Sequence, residues 1–333
     1  MNKRQSSKYK ITLNGGKMKK LCTSVVSVCL AATMSMSAMA ADIVIGIPNW
    51  VSVNAMGHVV QRVLEDNLGL DVEIQNATNP IVFEAMDKGT MHVHPEVWIP
   101  NQDNLHNTYV KDKGTVTRNP NAVIAFQGMC VPTASSEKHG ITSVTQLTDP
   151  NIAKLFDSDG DGKGEIWIGA TGWASTNVEY IRAKSYGYDQ TLDLIEMDET
   201  LALAKAQTLI TQGKPVVFMC YTPHHMFGSM DLTVLKEPAH DRAKWVIVQP
   251  TDDPDWLEKS SAPVAWGDTY LHIYYAKALE QSHPQAAQIL SNIKVDAVTV
   301  SGWVYEIAKN KVDPAEVAKK WVEENADLVD TWL

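Results

Sequence analysis

From Ala41 onward the chain alternates short apolar runs with stretches of helical spacing, and this alternation constrains the fold more than any other feature. ADIVIGIP, beginning at Ala41, has the length and content of a short buried strand. Met56, Val59, Val60, Val63 and Leu64 then recur on one helix face, and Gly69 stops the pattern. DVEIQ predicts a strand by alternation, PIVFEAMDKG a helix closed by Gly89, and MHVHPEVW the next strand. NAVIAF, EIWIGA, LIEMD, KPVVFMCY and KWVIVQ continue the strand series, with helix candidates between them such as Leu201 to Ile210. The C-terminal third is expected to be mainly helical, including a helix opened by Asp313-Pro314. Alternating β and α signals imply an α/β fold of mostly parallel sheets flanked by helices on both faces.

GMCVPTASSEKHG, from Gly128, breaks the first strand-helix region, and VVFMCYTPHH, from Val216, reads as the return. The expected organisation is therefore two lobes joined by two crossings. Residues 41–127 plus 230–333 form the first lobe and 128–229 the second.

Residues 1–40 stand outside the fold. MKKLCTSVVSVCLAATMSMSAMA, from Met18, has a basic start, an apolar run and a small-residue A-x-A ending at Ala40. This is the layout of a secretory signal peptide, with cleavage expected after Ala40 and export to the periplasm. A complete signal begins at Met18, which makes Met18 a candidate start alongside Met1. Removing the seven basic residues of the leader lowers the formal charge from −10 to −17. So negative a chain is a poor partner for nucleic acid or anionic membrane, and it is expected to be a soluble monomer. Two cysteines, Cys130 and Cys220, remain after the leader. An oxidising compartment permits them to pair, and the sequence leaves that open.

Two motifs suggest metals. In DSDGDGKGE, Asp157, Asp159 and Asp161 occupy positions 1, 3 and 5 of a calcium loop, with Gly162 at the sharp turn. The backbone carbonyl of Lys163 and the carboxylate of Glu165 would complete a structural calcium site. Ile168 stands where an EF-hand carries its final Glu. In HVHPEVWIPN, His92, His94 and Glu96 share one face of a strand, the minimal ligand set for a secreted metal-dependent enzyme. Pro95 interrupts that stretch, and no GxSxG, Walker loop, HExxH or CxxC supports an enzymatic reading.

The aromatics point elsewhere. Trp50 follows the first strand, Trp98 the third, Trp173 follows EIWIGAT, and Tyr221 follows KPVVFM. All four fall at the carboxyl ends of strands, the edge where open α/β sheets bind ligands. Trp266 in APVAWGD is a candidate fifth member. Several ring faces around a small cavity suit a methylated ammonium, which is weakly hydrated and lacks N–H donors. Four faces at roughly 0.5–2 kcal/mol each give about 2–8 kcal/mol, against the ~8 kcal/mol of a micromolar complex. A second contact to the ligand's polar end is therefore expected. The helix start at Ala174, Ser175 and Thr176 can supply it, with Thr176 and Glu179 spaced as a capping box.

The leader, the W-x-P of Trp98, the GW of Trp173 and the Y-T-P-H-H from Tyr221 together resemble the glycine betaine/proline betaine substrate-binding proteins of ABC importers, over nearly all of 42–333. The resemblance implies a two-lobed periplasmic binding protein fold of type II-like form. It implies capture of a quaternary ammonium in an aromatic box between the lobes, delivery to an inner-membrane ABC permease, no enzymatic activity and no catalytic cofactor. Trp98 and Trp173 match walls of that box, and Tyr221 stands where the family often has Trp. His225 lies in the same motif. Gln102 stands where glycine betaine binders often carry His, and Ala174-Ser175 where they often carry Gly-Cys, which points away from a carboxylated ligand. The additional Trp50, the PEVW Glu96 and the acidic loop look more like the branch that binds trimethylamine N-oxide. Glycine betaine, proline betaine, choline and carnitine are the alternatives.

Overall fold

The structure is a computed structural model and describes residues 41–333; the leader, Met18 and the expected cleavage after Ala40 lie outside the described residues. The strands are β1 (Ile43–Ile47), β2 (Val72–Asn76), β3 (Val93–Ile99), β4 (Val116–Arg118), β5 (Val123–Pro132), β6 (Gly164–Gly169), β7 (Leu192–Glu196), β8 (Val217–Thr222), β9 (Leu232–Val234) and β10 (Thr269–Ala276). The principal helices are α1 (Val51–Leu68), α2 (Asn79–Lys88), α3 (Thr133–His139), α4 (Ala174–Tyr186), α5 (Glu199–Thr211), α6 (Pro284–Asn292), α7 (Ala297–Ala308) and α8 (Pro314–Glu324).

The strands run in the order β2-β1-β3-β10-β5-β8-β6-β7, with β4 on β10 and β9 on β5. β1, β2 and β3 are parallel, as are β6, β7 and β8. The middle is antiparallel, through β3–β10, β10–β5 and β5–β8. Each half thus contains the parallel three-stranded run that the β/α alternation predicts, with antiparallel strands added to it. β5 is long enough to serve both: Val123–Ala125 pair with β10, and Phe126–Cys130 pair with β8.

The helices follow from their apolar faces. α1 buries Val53, Met56, Val59, Val60, Val63 and Leu64, and packs against α7 and α8. It ends at Gly69, whose φ of 65° is left-handed and whose N–H closes on Glu65. Cys130 on β5 and Cys220 on β8 are fully buried and form a disulfide, which settles the question the sequence left open.

Four expectations need correcting. KWVIVQ is not a strand: only Val246 pairs, through an isolated bridge to Ser261, and the run lies largely at the surface. Conversely, TYLHIYYA in the expected helical region is β10, central to the sheet. β3 runs through Pro95, and the partner strand shifts register between His272 and Tyr274. The segment 232–266, expected in the first lobe, makes most of its contacts with the second half of the sheet, while Gln249, Thr251 and Asp252 reach Asn101 and Asn104 in the first. β9 pairs with Cys130–Pro132, Lys236 bridges to Ser143, Glu237 binds Arg182, and Trp266 binds Glu179. Among the described residues no helix is long and apolar enough to cross a membrane.

Candidate functional site

The carboxyl ends of β1, β3, β6 and β8 converge on a cavity of about 30 Å³ lined by Trp50, Trp98, Trp173 and Tyr221. The rings meet edge to face. Their centroids lie 6.1 Å apart for Trp50–Trp173, 5.5 Å for Trp98–Tyr221 and 6.1 Å for Trp173–Tyr221. All four side chains are buried. Each wall is also held by a polar anchor. The Trp173 indole N–H donates to the Asn49 carbonyl at 2.8 Å, across from its own strand. Tyr221 donates its hydroxyl to Glu199.

Trp50 and Trp98 share one anchor. Oε1 of Glu96 accepts the indole N–H of Trp50 at 2.7 Å, that of Trp98 at 2.9 Å, and the hydroxyl of Ser52 at 2.7 Å. Glu96 is fully buried and does not line the cavity; it sits behind the two rings. Burial raises its pKa to about 7, opposed by the three donors, which favour the carboxylate. Its Oε2 has no hydrogen-bond partner.

The amides complete the lining. Asn101 and Gln127 form a reciprocal pair at 2.8 and 2.9 Å, and register places Gln127 opposite Tyr221. Gln102 lines the cavity with a buried Oε1 that has no partner. Ala174 and Ser175 bring the N-terminus of α4, whose N-cap position Trp173 offers no side-chain acceptor. The expected capping box is absent. Thr176 instead donates to the Ala170 carbonyl, and Glu179 accepts from Trp266. The helix start is thereby left open toward the cavity. No lysine, arginine or histidine lines it.

Gly169 is what lets β6 deliver Trp173. Its φ is +126°, and a Cβ there would sit 2.3 Å from Thr176 Oγ1 and 3.3 Å from the Trp173 ring.

Asn79, Asn101, Gln127, Met219 and Glu199 were not singled out from the sequence. Amides and methionines carry no motif, and only the fold assembles them. Trp266 and His225 lie elsewhere. Trp266 packs on Trp245 and under the Arg182 guanidinium, which it helps bury with Glu179 and Glu237. His225 borders a different cavity with His224.

The histidine stretch does not form a metal site. His92 accepts the Val44 N–H at Nδ1, and both ring nitrogens of His94 are engaged, with Asn79 and with the Glu96 N–H. Burial lowers the His94 pKa to about 3. Glu96 turns to the indoles. In the acidic loop the carboxylates of Asp157, Asp159 and Asp161 offer oxygens within 4.8 Å of one another, the single such group of three among the described residues. Those carboxylates also accept loop amides, including Gly162 to Asp157 and Lys163 to Asp161. Glu165 is turned away and accepts from the Ser158 N–H and hydroxyl.

Residues 41–324 match the family described as the substrate binding domain of the ABC-type glycine betaine transport system. The chain belongs to this family. Among its relatives is the glycine betaine/proline betaine-binding periplasmic protein of Salmonella typhimurium, 25% identical over 63% of this chain. The aligned stretch spans 64% of that relative's length. The Escherichia coli protein of the same description is 22% identical over 71% of this chain and 72% of its own. Lactococcal OpuAC, in its closed-liganded conformation complexed with glycine betaine, shares the fold at a TM-score of 0.67 and 19% identity, over 87% of this chain and 98% of that one. An ABC-transporter choline binding protein in complex with choline gives a TM-score of 0.69 at 18% identity, over 87% and 91%. Members of this family are binding proteins of transport systems, and the chain is not an enzyme.

Proposed function

We propose that this chain is the periplasmic substrate-binding component of an ABC importer. It captures a small methylated ammonium solute among Trp50, Trp98, Trp173 and Tyr221 and hands it to an inner-membrane permease. The observation that carries the reading is the cage itself: four buried rings, with a carboxylate behind two of them. Ring faces attract a cation, and an indole whose N–H donates to an anion has a more negative face.

Trimethylamine N-oxide is the favoured ligand. The cavity is small, and no basic side chain lines it. A single oxygen can be held by the open start of α4 and the amides of Asn101, Gln102 and Gln127. Glycine betaine is the second reading, supported by the relatives' descriptions. The two lobes on this reading are 41–125 plus 267–333 and 126–266, with the cage between them.

Calorimetric titration of refolded, ligand-stripped protein with trimethylamine N-oxide, glycine betaine, choline and carnitine tests the assignment. Micromolar binding of trimethylamine N-oxide ahead of the others supports it. Preference for a carboxylated ligand transfers it to glycine betaine, and silence across the panel removes it.

The Asp157, Asp159 and Asp161 carboxylates support one further element of the reading, a structural calcium ion that would offset their mutual repulsion. A melting temperature raised by calcium, and not in Asp159→Asn/Asp161→Asn, is the expected result; no response to calcium in the parent chain retires it.

A further inference from the structure

Glu199 is the first residue of α5 and is 3% exposed. Its Oε1 accepts the hydroxyl of Tyr221, the cage wall carried by β8. Its Oε2 accepts the backbone N–H of Val51 at 3.0 Å. Val51 is the first residue of α1 and follows Trp50, the wall on the opposite side. α1 has eighteen residues, no acidic residue in its first turn and no side-chain acceptor at its N-cap position. The leading N–H groups of a helix lack internal acceptors, and its positive end favours an anion. Glu199 meets both needs from the other half of the sheet.

The remaining contacts of this carboxylate lie within its own half. Nε2 of His224 is 3.1 Å from Oε1, and His224 Nδ1 accepts the Met226 N–H. Next to Glu199, Asn49 donates to Asp198 at 3.3 Å across the same seam.

We propose that Glu199 is a positioning residue that sets how long the ligand stays bound. The proposal rests on the reading of the cavity as a ligand site. The carboxylate ties Tyr221 on one half to the start of α1 on the other, so the two opposing walls reach their places together. Opening breaks the Val51 contact and leaves the Tyr221 contact intact. A link that forms only after the ligand has entered acts on release and not on entry. Behind Glu199 lies a cavity of about 310 Å³ that also touches His224, His225, Gln207, Lys309 and Lys311. Truncating the side chain therefore enlarges existing space more than it hollows a packed core.

Stopped-flow tryptophan fluorescence, with trimethylamine N-oxide and glycine betaine as probes, tests this. Glu199→Ala is expected to release the probe about tenfold faster, the equivalent of ~1.4 kcal/mol, with association changed less than threefold. Glu199→Gln is expected to recover most of the loss, because its amide oxygen still accepts the Val51 N–H. Tyr221→Phe, which keeps the carboxylate and the fold, is expected to move release in the same direction and covers the case in which Glu199→Ala does not fold. Unchanged release in a folded Glu199→Ala, or in Tyr221→Phe where that variant stands in, overturns the inference while the ligand reading stands. A wild type silent to both probes overturns the two together.

Discussion

At the residue scale three of the four rings are held by acids and the fourth, Trp173, by a backbone carbonyl. Trp98→Ala removes one cage face and one of the three donors to Glu96, so affinity for a methylated ammonium should fall at least about tenfold. Calorimetry on the folded variant measures it. Glu96 adds a pH dependence whose sign is fixed. A cation in the cage favours the carboxylate over the acid, so binding lowers the Glu96 pKa from about 7. Binding at acidic pH then releases a proton. Affinity should climb as pH rises through about 7 and level off above it. Glu96→Gln, which keeps an acceptor for the indoles, should flatten the profile. The neighbours do not confuse it: His94 is held near 3, and burial lowers His272. Glu179, also raised to about 7, sits beside Arg182 and Trp266, outside the cavity.

The ring positions were legible because a strand followed by an aromatic can be read in one dimension. The acids' roles were not. Glu96 reads as a metal ligand because it shares a strand face with His92 and His94, whereas its side chain is drawn back by two indoles. Glu199 looks like an ordinary acid in a first helical turn, and it is the partner helix that makes it unusual.

At the element scale, local pattern and tertiary pairing disagree in two places. β10 is buried along almost its whole length, so it shows no alternation, and the helices that follow it mask it. KWVIVQ has a strand's composition, but only Ser261 pairs with it. The tight delivery of Trp173 depends on Gly169. Gly169→Ala should cost about 1–3 kcal/mol for a strained backbone, and it should weaken ligand binding further by displacing the Trp173 ring; urea unfolding and titration separate the two effects. The Cys130–Cys220 bridge joins neighbouring strands 90 residues apart in sequence. Replacing both cysteines by alanine should lower stability by about 2–4 kcal/mol, read from the urea midpoint.

At the scale of the whole molecule, the β/α alternation was sufficient to predict the two parallel three-stranded runs, and the antiparallel strands that join them into one mixed sheet were not legible. It could not locate the second crossing, because 232–266 carries few periodic elements and declares its side only through contacts such as Glu237–Arg182 and Trp266–Glu179. On the proposed function the two halves should draw together on binding. Small-angle scattering should then show a smaller radius of gyration with saturating ligand and no change for Trp98→Ala at the same concentration.

β5 gives that motion a particular character. One uninterrupted strand pairs with both halves, and the disulfide fastens it to β8 on one side. A paired strand bends more readily than it stretches or shears, because shear would break a whole row of backbone hydrogen bonds at once. On the proposed function, the approach of the halves would then be mainly a swing about this strand. A pair of fluorescent labels placed across the seam would then follow that swing, and the proposed capture of a methylated ammonium could be read optically from one distance.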